Sequence, residues 1–275
     1  MDLTGPEVVS GPPGGFPSRL WAEVSLARHR LLMLDHDGTL VPFEMVRNQA
    51  IPSGETLALL RHIAGSRHTT LVVVSGRPVR ELTELLDQPS WTLVGEHGWE
   101  VRDPGEAVVR HPLPRGAATR LDRAERLARD AGLAERVERK RASIAVHTRG
   151  LDVESARATA ASAARAWTPV MDDGATLRLT AFNGGVELRV RGRDKGTAVR
   201  DLLAREVPGT LGVHVGDDET DEDAFAALAP TGIGVRVGAP GLPTGASAWL
   251  HGPEQVARFL AAWLETLDRA ADPHA

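Results

Sequence analysis

The sequence predicts an α/β fold, a parallel sheet flanked by helices, interrupted by an inserted α+β domain. Three observations lead there. Short apolar runs alternate with helical stretches in both halves of the chain, the pattern of strands joined by crossover helices. Several of these runs end on acidic or polar residues, as strands do whose carboxyl ends open on a ligand crevice. The middle of the chain changes character, with Ala-rich helices and alternating strands in place of continuous apolar ones.

Taken in order, LLMLD at 31–35 reads as a compact strand ending on an acid. From Ser53 to Gly65, Leu57, Leu60 and Ile63 lie close to helical spacing, and Ser53 is an N-cap candidate. TTLVVVSGR at 69–77 is a second buried strand, and Pro78 to Leu86 a short helix with proline in its first turn. WTLVGEHG at 91–98 is a third strand. In the middle section, 116–133 and 153–167 read as helices, 141–149 as a half-buried strand, and 176–190 as a hairpin turning at Asn183, Gly184 and Gly185. GVHVGDDETDEDAF at 212–225 repeats strand, acidic turn and helix, and IGVRVG at 233–238 adds a last strand. A final helix over 253–270 carries Val256, Phe259, Leu260, Trp263, Leu264 and Leu267 on one face. The expected domains are a core of 20–112 and 192–275, an insertion of 113–191, and a flexible, Gly- and Pro-rich arm of 1–19.

Composition narrows the function classes. Hydrophobic residues make up 42% and charged residues 25%, an ordinary soluble composition, and a net charge of −5 points away from nucleic acid and membrane surfaces as partners. There is no cysteine, so thiol nucleophiles, disulfides and Cys-ligated zinc are excluded. No apolar run approaches bilayer-spanning length and the first residues lack a secretory pattern, so the expectation is a cytoplasmic protein, a monomer by default. Of 32 basic Lys and Arg residues only Lys140 and Lys195 are lysines. A compact ammonium kept in so Arg-rich a chain marks both positions for attention.

Four groups of residues carry chemistry. Asp35-His36-Asp37-Gly38-Thr39 directly follows the first strand, so one carboxylate can attack phosphorus while the other protonates a leaving alkoxide. The plain alternative is a helix N-cap or an Asx turn. Gly216-Asp217-Asp218-Glu219-Thr220-Asp221-Glu222-Asp223 packs six carboxylates into eight residues, which favours a hard, oxygen-ligated cation such as Mg2+. A solvated acidic first helical turn accounts for Glu222 and Asp223 but poorly for the turn at Asp217 and Asp218. Ser75-Gly76-Arg77 offers a hydroxyl and turn amides to phosphate oxygens, or is a capped helix start. Lys195 supplies a point cation beside a carboxylate and a phosphoryl group, or is a surface lysine.

In combination these residues resemble the four motifs of the haloacid-dehalogenase-like phosphatase superfamily. The resemblance implies a Rossmann-like core and a phosphoaspartyl enzyme. Asp35 would be nucleophile and Mg2+ ligand, and Asp37 the acid and base, with its backbone carbonyl on the metal. Ser75 and Lys195 would hold the phosphoryl group, Asp217 would complete the metal site, and Asp218 would lie adjacent or act through water. The insertion then corresponds to a cap that selects substrate. Further positions resemble trehalose-6-phosphate phosphatases: Gly95-Glu96-His97-Gly98, Glu138-Arg139-Lys140 leading to Ser143, His147 and Arg149, and Glu187 in Val186-Glu187-Leu188-Arg189. That likeness implies that Glu138, Lys140 and Glu187 grip sugar hydroxyls, and it groups Gly76, Arg77 and His97 with the substrate-binding residues. Carboxylates accept from hydroxyls while an ammonium donates, so the trio suits a polyol; exposed strand charges are the bland alternative.

Thr148 and Val190 depart from the family pattern, which has Tyr and Pro there. The expected substrate is a sugar phosphate, trehalose 6-phosphate first and a pseudo-disaccharide phosphate of validoxylamine type second. A catalytically silent partner of a sugar-phosphate synthase is the reading from another class. Cap closure is expected to bring Glu138, Lys140 and Glu187 over the sugar.

Overall fold

A computed structural model describes residues 7–8, 18–44, 47–171, 175–182, 184–241 and 243–271. The chain divides into two units, Met1–Val109 with Asp194–Ala275, and Arg110–Arg193. In chain order the first unit contains β1 (Glu7–Val8), α1 (Ser18–Leu26), β2 (Arg30–Leu34), α2 (Gly54–Ala64), β3 (Thr69–Val74), α3 (Val79–Leu85), β4 (Thr92–Gly95) and β5 (Glu100–Arg102). The two-residue β6 (Val109–Arg110) marks the boundary. The second unit holds α4 (Ala117–Asp130), β7 (Val137–Arg139), β8 (Ser143–His147), α5 (Val153–Trp167), β9 (Leu177–Phe182) and β10 (Gly185–Val190). The first unit resumes with α6 (Lys195–Leu203), β11 (Leu211–Gly216), α7 (Glu219–Leu228), β12 (Ile233–Val237), β13 (Ala248–Leu250) and α8 (Pro253–Ala271).

The large sheet runs β1-β13-β12-β11-β2-β3-β4-β5-β6. From β13 to β4 every pairing is parallel, and β5 returns antiparallel to β4. β2, β11 and β12 are buried at every position, as a sheet covered on both faces requires. Alternation along β2 divides the core. Leu32 and Leu34 join Leu60, Ile63, Phe259 and Trp263 on one face, while Leu31 and Met33 join Ala198, Val199 and Leu228 on the other. After β2 the chain steps outward to β3 and β4, then crosses to β11 on the other side of β2. The switch point therefore lies between β2 and β11, where open α/β sheets bind ligands.

The second unit is a four-stranded antiparallel sheet, β7-β8-β10-β9. Ile144, Val146, Leu188 and Trp167 are fully buried, and the Trp167 indole N–H donates to the Ala124 carbonyl at 3.1 Å.

Several elements differ from the sequence expectation. The third strand stops at Gly95, because Glu96 and His97 take φ of 47° and 56° and turn the chain into β5. β5, β7 and β13 have three residues each, too few for a period to register in sequence. Glu138 lies on β7, a strand of its own that pairs with β8. Within the supposed flexible arm, Glu7–Val8 pairs in parallel with β13, and α1 begins at Ser18. The rest of that arm, and Asn183 of the hairpin turn, lie outside the described residues. Among the described residues no helix is long and apolar enough to cross a membrane.

Trp263 is fully buried in α8 against the rings of Trp21 and Phe259, at centroid separations of 6.5 and 5.9 Å. Trp263→Ala is expected to cost about 3–5 kcal/mol, read as a lower midpoint in urea unfolding.

Candidate active site

β11, β2 and β3 are neighbours in parallel register, so the residues just past their carboxyl ends meet. Those residues are Asp217, Asp35 and Ser75. The Asp35 amide donates to the Val215 carbonyl at 2.9 Å, which fixes it against β11. The chain then turns sharply at Gly38, whose φ of 82° suits only glycine without strain. A Cβ at Gly38 would run into the Asp217 carboxylate, so the glycine also makes room for the acid. Thr39 Oγ1 donates to Asp217 Oδ1 at 3.2 Å and ties this turn to the one after β11.

Lys195 opens α6, with Asp194 as N-cap accepting from the Thr197 amide. Its side chain is 2% exposed, and Nζ donates at 2.7 Å to both Asp35 Oδ1 and Asp221 Oδ1. Asp221 Oδ1 also meets His214 Nε2 at 2.6 Å, and its Oδ2 accepts from the Asp218 amide at 3.0 Å. The Asp218 side chain caps α7, accepting from the Glu219 amide at 2.7 Å.

Charge balance explains the ionisation of the group. Burial, reinforced by Asp221 and Asp37 and opposed by Lys195, pushes Asp35 up to about 7. Burial and the nearby Asp35 and Asp221 also raise Asp217 well above its usual range. Asp218 is raised by burial as well. For Asp221 burial acts upward too, but Lys195 and the His214 hydrogen bond outweigh it and hold the group low. The same carboxylates outweigh burial at Lys195 and raise it. One ammonium thus serves several acids. Asp35, Asp217 and Asp221 each offer a carboxylate oxygen, all within 4.8 Å of one another. This all-oxygen, under-compensated donor set fits a hard divalent cation.

Ser75 is buried, and its Oγ accepts from the Arg77 amide at 3.2 Å. Gly76 lies under the His97 ring, where a Cβ would collide with the imidazole. Arg77 is 4% exposed, and its Nε and Nη2 each donate at 2.6 Å to the two oxygens of Asp37, with Nη1 3.4 Å from Glu81. This arginine, expected among the substrate-binding residues, is here clamped on Asp37. His36 is buried, its Nε2 2.9 Å from the Ala50 carbonyl.

The second unit gathers its own polar cluster. Glu138 pairs across β7 and β8 with Ala145, Ala145 pairs across to Glu187, and Glu187 in turn faces Thr180. Cross-strand partners share a face, so both glutamates project from the same side with alanine between them. Lys140 Nζ lies 3.0 Å from Glu187 Oε1 and 3.8 Å from Glu138 Oε1. Ser143 Oγ donates to Glu187 Oε1 at 2.7 Å, and His147 Nε2 is 2.7 Å from Glu138 Oε2.

Sequence reasoning counted Asp221 among the six clustered carboxylates but gave it no role of its own, and it did not single out His214. The available signals were a histidine inside an otherwise apolar strand and an aspartate three residues after a capping aspartate, the capping-box spacing.

Because Asp35 is raised from 3.8 to about 7, the folded metal-free chain holds an extra proton between those values. That contribution to stability is complete below about pH 4 and is lost as pH rises through about 7. In EDTA, Tm is expected to fall over this window in the wild type and to fall less in Asp35→Asn; differential scanning fluorimetry across pH checks it.

Comparison with known proteins bears on this geometry. A family model described as trehalose-phosphatase matches residues 33–246, a span that includes both polar clusters. A protein of Oryza sativa subsp. japonica described as probable trehalose-phosphate phosphatase 3 is 29% identical over 265 residues, covering 87% of this chain and 70% of the rice protein. The bifunctional trehalose-6-phosphate synthase/phosphatase of Thermoproteus tenax is 33% identical over 223 residues, covering 80% of this chain but 30% of that longer protein. The C-terminal domain of C. albicans trehalose-6-phosphate phosphatase shares the fold, with a TM-score of 0.77, 22% identity, and coverage of 94% of this chain and 97% of that one. The family match runs through the strand ends that carry Asp35, Ser75 and Asp217 and through the insertion between them, and on that match the chain belongs to the trehalose-phosphatase family.

Proposed function

We propose that the chain hydrolyses trehalose 6-phosphate to trehalose and phosphate through a phosphoaspartyl intermediate on Asp35. The observation that carries this reading is the meeting of Asp35, Lys195 and Asp217 at adjacent strand ends, in a chain whose family match spans both units. Asp35 attacks phosphorus, the bond to the sugar oxygen breaks, and Asp37 delivers a proton to the departing alkoxide. Water then attacks the acyl phosphate with Asp37 as base, releasing phosphate and freeing Asp35. Lys195 fixes the Asp35 carboxylate and offsets charge as the phosphoryl group approaches. Asp37 has both oxygens on Arg77, so delivery of its proton requires one of those contacts to be given up.

The residues that would hold Mg2+ are Asp35, Asp217 and the Asp37 backbone carbonyl, with Asp218 adjacent. Bound there, Mg2+ lowers the repulsion between carboxylate and phosphate and polarises the phosphoryl oxygens. Ser75 and the Gly76 turn are assigned to phosphate oxygens, and His97 to the same pocket wall, against Gly76. Glu138, Lys140 and Glu187 are assigned to sugar hydroxyls, which they can both accept from and donate to. The pseudo-disaccharide and silent-partner readings gain no support from the relatives compared.

Phosphate release would be measured with Mg2+ from trehalose 6-phosphate, a validoxylamine-type phosphate, glucose 6-phosphate and glucosyl-phosphoglycerate. Trehalose 6-phosphate is expected to lead by about tenfold or more, EDTA to abolish turnover, and Asp35→Asn to be inactive. A different leading ester would overturn the substrate, and full turnover in thorough chelation would overturn the metal.

Asp37→Asn separates the half-reactions. With trehalose 6-phosphate its turnover is expected to fall by about 10²–10⁴. With p-nitrophenyl phosphate, whose leaving group needs no proton, rapid-quench kinetics should show a burst of p-nitrophenolate followed by slow release of phosphate.

A further inference from the structure

At the amino-terminal edge of the large sheet, away from the acids, two neighbouring strands begin with the same pair of residues. Arg28-His29 precedes β2 and Arg67-His68 precedes β3. Arg30 pairs with Thr69, so the two histidines just before them are neighbours, and Arg28 and Arg67 line the same cleft. The two imidazoles meet edge to face, with centroids 5.0 Å apart and an interplanar angle of 81°. These four residues, Arg30 and Asp268 line a cleft of about 760 Å³. Strands of five and six residues separate the cleft from the acids by about 17–20 Å.

Arg28 and Arg67 are exposed, and neither serves a helix C-terminus. Basic residues often serve helix C-termini. Here Arg30 already takes the end of α1, donating from Nε to the Val24 carbonyl at 2.6 Å and from Nη2 to that of Ser25 at 3.4 Å. The end of α2 is closed by the Gly65 and Ser66 amides and by Ser66 Oγ on the His62 carbonyl. Neither Arg28 nor Arg67 has a hydrogen-bond or ion-pair partner among the described residues. His68 is held at φ 61°, in the left-handed region, while its carbonyl accepts from the Arg30 amide at 2.9 Å. Two uncommitted guanidinium groups and two imidazoles therefore line a single cleft beside one carboxylate.

We propose that this cleft is a binding site for a phosphate-class anion, distinct from the candidate active site. Paired guanidinium forks match the oxygens of a phosphoryl group, and the two rings add N–H donors. The shared chemistry is a doubly charged phosphoryl head, carried either by free phosphate or pyrophosphate or by a small phosphomonoester.

The test follows backbone amide shifts of the whole chain in EDTA at fixed ionic strength. Orthophosphate, pyrophosphate and glucose 6-phosphate are titrated separately, with sodium chloride as control, against wild type and the Arg28→Ser/Arg67→Ser double variant. The expected result is saturable movement of the His29, Arg67 and His68 amides, weakened at least about tenfold in the double variant. Turnover of the preferred ester should be unchanged, which also shows that the variant folds. The relative affinities for orthophosphate, pyrophosphate and glucose 6-phosphate then identify the source of the phosphoryl head. The proposal is overturned if these amides do not move, if chloride moves them equally, or if the double variant binds as the wild type does. The amide shifts do not depend on the identity of the substrate.

Discussion

An ammonium removed from water needs negative partners, and carboxylates removed from water need positive ones. Lys195, 2% exposed between Asp35 and Asp221, meets both requirements at the sheet's switch point. Either side alone would be an unpaired buried charge, costly by several kcal/mol. Around this contact much of the first unit is arranged. β2 and β11 are adjacent so that Asp35 and Asp221 can reach one cation, α6 begins at the lysine itself, and His214 is buried to take the remaining approach to Asp221. Gly38 and Gly216 are glycines because a Cβ at either would strike a carboxylate of the group, Asp217 at the first and Asp221 at the second.

The second unit solves a simpler problem by different means. An antiparallel sheet presents alternate residues to opposite faces, so one face builds a core from Ile144, Val146 and Leu188 while the other is left for polar groups. Register then does what the switch point does in the first unit. It lines up Glu138, Ala145 and Glu187 across three strands and brings Lys140 to both carboxylates.

Much of this was legible in sequence because strong burial leaves a strong pattern. Continuous apolar runs gave away β2, β3 and β11, and the acid or serine after each marked its carboxyl end. α5 announced itself by its Ala-rich composition and α8 by helical spacing along nineteen residues. What stayed hidden depends on contacts between distant segments. Nothing near Arg77 in the chain says that its guanidinium will close on Asp37, forty residues earlier. Asp221 was one of six clustered carboxylates with no role of its own, and only the fold shows it turned inward to Lys195. Three-residue strands such as β5 and β7 escaped because their pairing comes from neighbouring strands rather than from their own pattern.

The Lys195–Asp35 contact joins residues 160 apart in the chain, with the entire second unit between them. Contacts of such sequence separation form late and slowly, since the loop must close before the interaction repays it. A stretch of unstructured chain would make that closure worse. The inserted unit has its own sheet and its own buried residues, so the chain between the two partners is structured rather than an open loop. During synthesis β2 and β3 emerge long before α6 and β11, so the central strand waits without its partner on one side. The sheet is therefore complete on both sides of β2 only once the chain has returned from the second unit, and Lys195 meets Asp35 at that same return.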